Sequence, residues 1–148
     1  MDPNSSFEPF EDKEVSKPIH NRFETIAQKF PDRIAVSDKE HKISYSELNR
    51  HADKLSTTIV SFTPSTESPI GLILPHGPTV ILSILGAIKA GKTYVYLDPH
   101  LPISYLKRII AHSHVDLLLT VPGYQHIAKS VSIRGITIID LENLPECL

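Results

Sequence analysis

Residues 70–97 read IGLILPHGPTVILSILGAIKAGKTYVYL. The first five, Ile70 to Leu74, form an unbroken apolar run of strand length. Gly77-Pro78 then opens a helix, with proline in its first turn, where a missing N–H costs nothing. From Val80 to Ala90 the chain is apolar on nearly all sides, which predicts a deeply covered helix. Gly91 follows as a left-handed cap. Tyr94 to Leu97 is the next strand. A strand, a helix and a strand within 28 residues make one βαβ unit, and such a unit joins parallel neighbours.

The same pattern continues toward the C-terminus. Pro102 opens a helix on which Ile103, Leu106, Ile109 and Ile110 are expected to face the core. Val115 to Thr120 is a strand, Pro122 to Ser130 a shorter helix, and Ile133 to Ile139 a last strand interrupted by Gly135. The strands recur about every 20–24 residues, the spacing of helical crossovers in a parallel sheet. They are continuous apolar runs, as expected when both faces are covered. The fold class is α/β: a largely parallel βαβ sheet with helices on both faces.

Upstream the pattern differs. Phe23, Ile26, Ala27 and Phe30 recur at helical spacing, and Pro31-Asp32 ends that helix. Arg33 to Ser37 and Lys42 to Ser44 are short strands joined by the polar turn Asp38 to His41, which predicts a hairpin. Ser44-Tyr45-Ser46-Glu47 fits the capping box, in which hydroxyl and carboxylate each take the other residue's backbone N–H. Leu48, Ala52, Leu55, Ile59 and Phe62 then mark the clearest amphipathic helix in the chain. Thr63 to Pro69, rich in Pro, Ser and Thr, ends it. Residues 1–17 read as a flexible acidic arm with little to bury apart from Phe7 and Phe10. Residues 18–148 read as one ordered unit.

Composition narrows the function classes. A chain of 148 residues supports one domain that buries roughly 68–70% of its unfolded surface. Fifteen basic against 17 acidic residues give a net charge of −2, so no basic surplus exists to hold nucleic acid. The single cysteine, Cys147, cannot form an internal disulfide or a cysteine zinc cage. It fits a reducing, cytoplasmic setting. The N-terminal residues lack a cationic start followed by an apolar run, and the stretch from Val80 to Ala90 is too short to span a membrane.

One motif search succeeds formally. Gly86 to Thr93 satisfies G-x-x-x-x-G-K-S/T, the phosphate-binding loop. That loop works between a strand and a helix N-terminus, where N–H groups point at the anion. Here the glycines fall inside and after a helix, whose C-terminal carbonyls repel phosphate. The reading that fits is structural: Gly86 lets helices approach and Gly91 caps. Among eight histidines, His112 and His114 are the close pair, but they point apart on a helix and have no third ligand nearby. His112 reads as a polar residue at a helix end. Asp98, Asp116 and Asp140 border strands, where carboxylates serve as catalysts or as turn caps. The prolines around Asp98 favour the turn. No G-x-S-x-G elbow is present, and Cys147 has no adjacent base in the sequence.

Two segments carry a resemblance. Ile43-Ser44-Tyr45-Ser46-Glu47-Leu48 resembles L-T-Y-x-E-L, the first core motif of amino-acid adenylation domains of nonribosomal peptide synthetases. Residues Ile88 to Pro99, IKAGKTYVYLDP, resemble the second, L-K-A-G-x-A-Y-V-P-L-D-P. Phe30 to Val36 is similar to the family's opening P-D-x-x-A-V, and Leu101 to Ser113 to its Y-P-x-E-R-L-x-x-x-L-x-D-S stretch. The pieces stand in the family's order and cover about Pro18 to Asp140. Tyr96 replaces the usual proline, Thr93 an alanine, and Ser104-Tyr105 a Glu-Arg pair.

The resemblance implies the N-terminal portion of an adenylate-forming enzyme's large lobe. It implies an intact domain that uses ATP and Mg to make an aminoacyl-AMP and loads it on a carrier protein. The family's phosphate-gripping loop, its nucleotide-contacting residues and its catalytic lysine have no counterpart in these residues. No catalytic, cofactor-binding or metal residue is therefore assigned, and the chain by itself is expected to be inactive. The partners implied are the remainder of the domain and a carrier protein; nucleic acid and membrane are not expected. A non-catalytic scaffold derived from such a domain is the alternative, and a P-loop NTPase a more remote one. A piece of a larger lobe is also expected to leave apolar surface uncovered or to self-associate.

Overall fold

The computed structural model describes residues 12–39, 41–63, 68–133 and 135–143. Phe7, Phe10, Cys147, most of the arm and the middle of the loop after Thr63 lie outside the described residues. A four-stranded, fully parallel sheet forms the centre. Its strands are β3 (Ile70–Ile73), β4 (Tyr94–Tyr96), β5 (Leu117–Thr120) and β6 (Thr137–Asp140), in the order β4-β3-β5-β6. A separate antiparallel hairpin, β1 (Ile34–Ser37) with β2 (Lys42–Ser44), stands before it. The helices are α1 (Ile19–Lys29), α2 (Tyr45–Phe62), α3 (Pro78–Lys89), α4 (Ile103–Ser113) and α5 (Gln125–Val131).

Strand parity divides the core. Ile70, Leu72 and Leu74 pack with Leu117, Leu119 and Ile139 under α2 and α3, whose Leu48, Ala52, Leu55, Ile59, Leu82 and Ala87 complete that layer. Ile73, Leu97 and Leu118 face the other way and meet Leu106 and Ile110 of α4 and Ile127, Ala128 and Val131 of α5. A continuous apolar strand is thus read alternately by two helix layers, which is why the sequence shows no alternation. Gly71 makes this possible on the α4 side. A Cβ there would lie 2.5 Å from Leu118 Cδ2 and 3.1 Å from Leu97 Cδ1.

The local signals act as their chemistry demands. The Ser44 hydroxyl accepts the Glu47 N–H at 3.3 Å, and the Glu47 carboxylate accepts the Ser44 N–H at 2.9 Å and its O–H at 2.7 Å. These hydrogen bonds from the Ser44 backbone and hydroxyl hold the Glu47 carboxyl below its ordinary value near 4.5. Helix α3 ends in a Schellman arrangement: Gly91 at φ 69° donates to the Ile88 carbonyl and Lys92 N–H to Ala87, at 3.0 and 2.9 Å. Gly86 brings α3 onto α2, since a Cβ there would sit 2.9 Å from both Leu55 Cγ and Cδ2.

Lys89 joins three helices. Its side chain is only 4% exposed, and its ammonium donates to Glu24 of α1 and, at 2.6 Å, to Asp53 of α2. Burial pulls this ammonium toward the neutral form, but the two carboxylates outweigh it and leave its pKa above the usual 10.5. A raised lysine pKa contributes stability that is present below about 10.5 and lost as pH climbs through the higher folded value.

Some sequence expectations need correction. Phe62 lies past the buried stripe of α2, which ends at Ile59, and is 53% exposed. Ile103 sits on the first turn of α4 beside solvent, while Leu106 and Ile110 carry its packing. Ile81 leaves one side of α3 open. The last strand starts only at Thr137, because Gly135 turns the chain at φ 98° and Ile133 stays outside. Helix α4 ends at His114 in the left-handed conformation, φ 53°, where no glycine announced it.

This packing generates two predictions. Gly86→Ala is expected to cost about 1–3 kcal/mol by overpacking, and Leu55→Ala alone about 2–5 kcal/mol by cavity formation. Urea unfolding of the double variant should show a cost clearly below the sum, because Leu55→Ala removes the atoms that the new methyl strikes. Additive costs would mean that the two sites do not touch. Separately, Ser44→Ala should cost about 0.5–2 kcal/mol. The Glu47 carboxyl is depressed on folding, so its contribution is present above about pH 4.5 and lost as pH falls through the folded value. Unfolding curves of Glu47→Gln between pH 2 and 7 should be flatter than those of the parent by that contribution.

Candidate functional site

In an open parallel sheet, ligands enter the crevice outside the carboxyl ends of the strands, where the strand order reverses. Here β3 connects through α3 to β4 on one side, and the chain then crosses to β5 on the other. The reversal therefore lies between β3 and β5. The residues that follow these strands come from the segments at 74–79, 97–100 and 121–124.

A cleft of about 780 Å³ opens at this edge. Asp38, His41, Lys42 and Ile43 of the hairpin form one lip, and Glu47, Leu48 and His51 of α2 form the back. Pro75 to Thr79 and Leu82, from the β3–α3 connection and α3, form the other lip, with Glu142 closing one end. Gly77, at φ 144° and ψ −165°, holds a conformation open only to glycine and begins α3 without a side-chain cap. Asp38 accepts the His41 N–H at 2.7 Å, which shapes the hairpin turn, and its carboxylate stands 3.4 Å from His41 Nδ1.

Beside the cleft, side chains from three connections converge. The Tyr96 hydroxyl donates to the Leu74 carbonyl at 3.0 Å, and its ring lies 5.5 Å from that of His76. Burial pushes the Tyr96 phenol up, helped by the negative charge of Asp98 and by Tyr124. Asp98 accepts both the backbone N–H and the Nδ1 of His100, each at 2.9 Å. Those two bonds, with the charges of His100 and His76, hold its carboxyl below the usual 3.8. Tyr96 thus fills the position where a proline was expected, tying β4 to the end of β3.

The residues singled out from the sequence separate accordingly. Asp98 and Asp140 stand at the carboxyl edge, and each closes a turn: Asp140 accepts the Glu142 N–H at 3.1 Å. Asp116 stands at the opposite edge of the sheet, before β5, and is exposed. His112 is exposed on the last turn of α4, two residues before the left-handed His114. Lys92, the lysine of the phosphate-loop match, is 6% exposed and donates to the Thr63 carbonyl at 2.7 Å, at the end of α2. It is bonded to the carbonyl at the end of α2, and the segment from Gly86 to Thr93 has no helix N-terminus to offer a phosphate. Among the described residues no group of three or more His, Cys, Asp or Glu side chains could hold a metal ion. None of the described helices is long and apolar enough to cross a membrane.

The sequence reading did not single out His76, Tyr124 or the cleft. The signal available was positional: each follows the end of a strand that the apolar runs had already located.

Comparison with known proteins places this architecture. A family model described as "AMP-binding enzyme" matches residues 23–146, and the chain belongs to that family. It is 31% identical over 129 residues to tyrocidine synthase 1 of Brevibacillus parabrevis, covering 86% of this chain and 12% of that protein. It is 30% identical over 134 residues to tyrocidine synthase 3 of the same organism, covering 90% and 2%. Among solved structures, the nonribosomal peptide synthetase FmoA3 in its α-methyl-L-serine-AMP bound form superposes with a TM-score of 0.77 at 22% identity. That match covers 84% of this chain and 14% of the other. The relatives are synthetases, and this chain corresponds to an N-terminal adenylation segment that spans about an eighth or less of the two tyrocidine synthases.

The environment of Lys92 yields a prediction. Lys92→Met keeps the stem and removes a buried donor, leaving the Thr63 carbonyl short of a partner, so thermal unfolding should report a loss of about 1–3 kcal/mol. ATP titrations of parent and variant should be indistinguishable. Saturable nucleotide binding that disappears in the variant would restore the phosphate-loop reading.

Proposed function

We propose that this chain is the opening part of the large lobe of an adenylation domain. The complete domain activates an amino acid with Mg-ATP as its aminoacyl-AMP, releases pyrophosphate and passes the aminoacyl group to a carrier-protein thiol. The observation that carries this reading is the family match across residues 23–146, together with the ordered motifs on α2 and on the α3–β4 unit. The chemistry is attack of a carboxylate on the α-phosphate, a step that needs positioned positive charge around the transferring phosphate. The two lysines of the Gly86–Thr93 stretch are not free to supply it: Lys89 and Lys92 are both engaged in holding helices.

In this reading the segment has a scaffold role. It builds the first parallel sheet of the lobe and presents its carboxyl edge to the rest of the domain and to the substrates held there. Residues 18–148 act as that subdomain and residues 1–17 as its arm. The exposed Ile81, Tyr94, Leu101, Ile103 and Tyr105 are surface that the remainder of the lobe, or a second copy of the isolated chain, would cover.

The test is amino-acid-dependent exchange of labelled pyrophosphate into ATP. The isolated 148-residue chain should give no exchange above background with any of the common amino acids. Joined to the missing part of a related adenylation domain, it should restore exchange. Exchange by the isolated chain would overturn the assignment of catalysis to other residues, and failure of every such chimaera that folds would favour a non-catalytic scaffold.

A further inference from the structure

Charge is unevenly spread along the chain. The whole is net −2, yet residues 101–133 carry Lys107, Arg108 and Lys129 against one acid, Asp116, and are net +2. The two helices of this stretch, α4 and α5, lie in one layer on one face of the sheet, joined by the apolar cluster that holds Leu106, Ile110, Ala128 and Val131. Neither helix contains an aspartate or a glutamate. Lys107, Arg108 and Lys129 are exposed. Among the described residues no carboxylate pairs with Lys107 or Arg108, and Lys129 donates to the Gln125 side chain of its own helix at 3.0 Å.

The same face has an apolar floor. Tyr105, Arg108, Ile109, His112 and Ser113 recur as one helical stripe and line an open hollow of about 390 Å³ along α4. Tyr105 is 50% exposed, and Ile109 is half-buried one turn on. This stripe differs from the one α4 turns to the core, Leu106 and Ile110. Nine residues of helix span about 13 Å, which admits anchors at i, i+4 and i+7 of an opposing helix. We propose that this face receives an acidic amphipathic helix of a protein partner, with an apolar anchor between Tyr105 and Ile109 and carboxylates on Lys107, Arg108 and Lys129. These three cations fall short of the about four to eight that hold a segment on an anionic membrane and of the roughly six to ten phosphate contacts of a DNA-binding surface. A two-fold contact of this face with itself would set like charges opposite one another. The helix so placed covers Tyr105, a residue that the adenylation-lobe reading already treats as covered surface, and on that one point it rests on that reading.

The probe is a fluorescein-labelled helical peptide of roughly 18 residues, with leucine at i, i+4 and i+7 and glutamate at the flanking positions. It is titrated with the 148-residue chain by fluorescence anisotropy at about 50 and 200 mM salt. Saturable binding is expected, weaker at the higher salt. Lys107→Glu with Arg108→Glu should weaken it at least about five-fold, since two favourable rim pairs become repulsive. A peptide with lysine in place of glutamate should show the opposite preference. Tyr105→Ser, which leaves the charges alone, should also weaken binding and keeps the test intact should the charge variant misfold. Lys17→Glu with Lys42→Glu makes the same change of charge away from α4 and should leave the affinity within about two-fold. Equal affinity for the two peptides, an equal loss in the control variant, or no saturable binding below about 1 mM overturns the proposal. Binding to phosphatidylserine vesicles without peptide binding overturns it in favour of a membrane. Self-association in sedimentation that disappears in the α4 variant overturns it in favour of a second copy. Pyrophosphate exchange by the chimaera does not depend on the peptide, so failure here and failure of the adenylation reading are told apart.

Discussion

Strand β3 is buried on both faces and hydrogen-bonded along both edges, and the other elements are arranged to meet those demands. Its partners are β4 from Ile70↔Tyr94 to Leu72↔Tyr96 and β5 from Ile70↔Leu117 to Ile73↔Thr120. A parallel partner requires a crossover, so each neighbour brings a helix with it. Two faces require two helix layers, and the chain supplies α2 and α3 on one side and α4 and α5 on the other. Gly71 marks the tightest point, where only the absence of a Cβ lets Leu97 and Leu118 close over the strand.

Polar groups inside this frame are committed to holding it. Ser83, fully buried on α3, donates to the Thr79 carbonyl, and buried Thr120 donates to the Ile73 carbonyl, fastening β5 to β3. Lys92 satisfies the end of α2. Lys89 anchors α1, whose one buried residue is Ala27, to α2 and α3 through carboxylates that remain partly in water. Removing one member of such a set leaves a buried charge or carbonyl unpaired, which costs more than the contact itself contributes. Both lysines of the apparent phosphate motif are thus structural, and the match to its spacing is a consequence of a helix that ends in glycine.

The carboxyl edge is the part of the fold left available for chemistry. It gathers His76, Tyr96, Asp98, His100 and Tyr124 near a cleft walled by the hairpin and α2. Their bonds shape turns: Asp98 holds the bend toward α4, and Tyr96 holds the end of β3. The chain itself spans only 12% and 2% of the two tyrocidine synthases that it resembles.

Much of this was legible in the residues. Apolar runs separated by Gly- and Pro-bounded helices determine a parallel sheet, because burial of both strand faces leaves no other period. Ser44 with Glu47, Pro78 and Gly91 determine helix ends through backbone hydrogen bonds within four residues, which a sequence shows directly. What escaped depends on distances across the chain. The burial of Lys89 against Glu24 and Asp53 and the Tyr96–Leu74 bond rest on partners 22 to 65 residues apart. The exposure of Phe62 and Ile103 rests on where a neighbouring element stops. The left-handed turn at His114 likewise comes without a glycine to mark it. Sequence alone determined the elements, their order and the family; tertiary packing decided which side chains are held, which are exposed and where the edge opens, because those are properties of contacts that local periodicity does not encode.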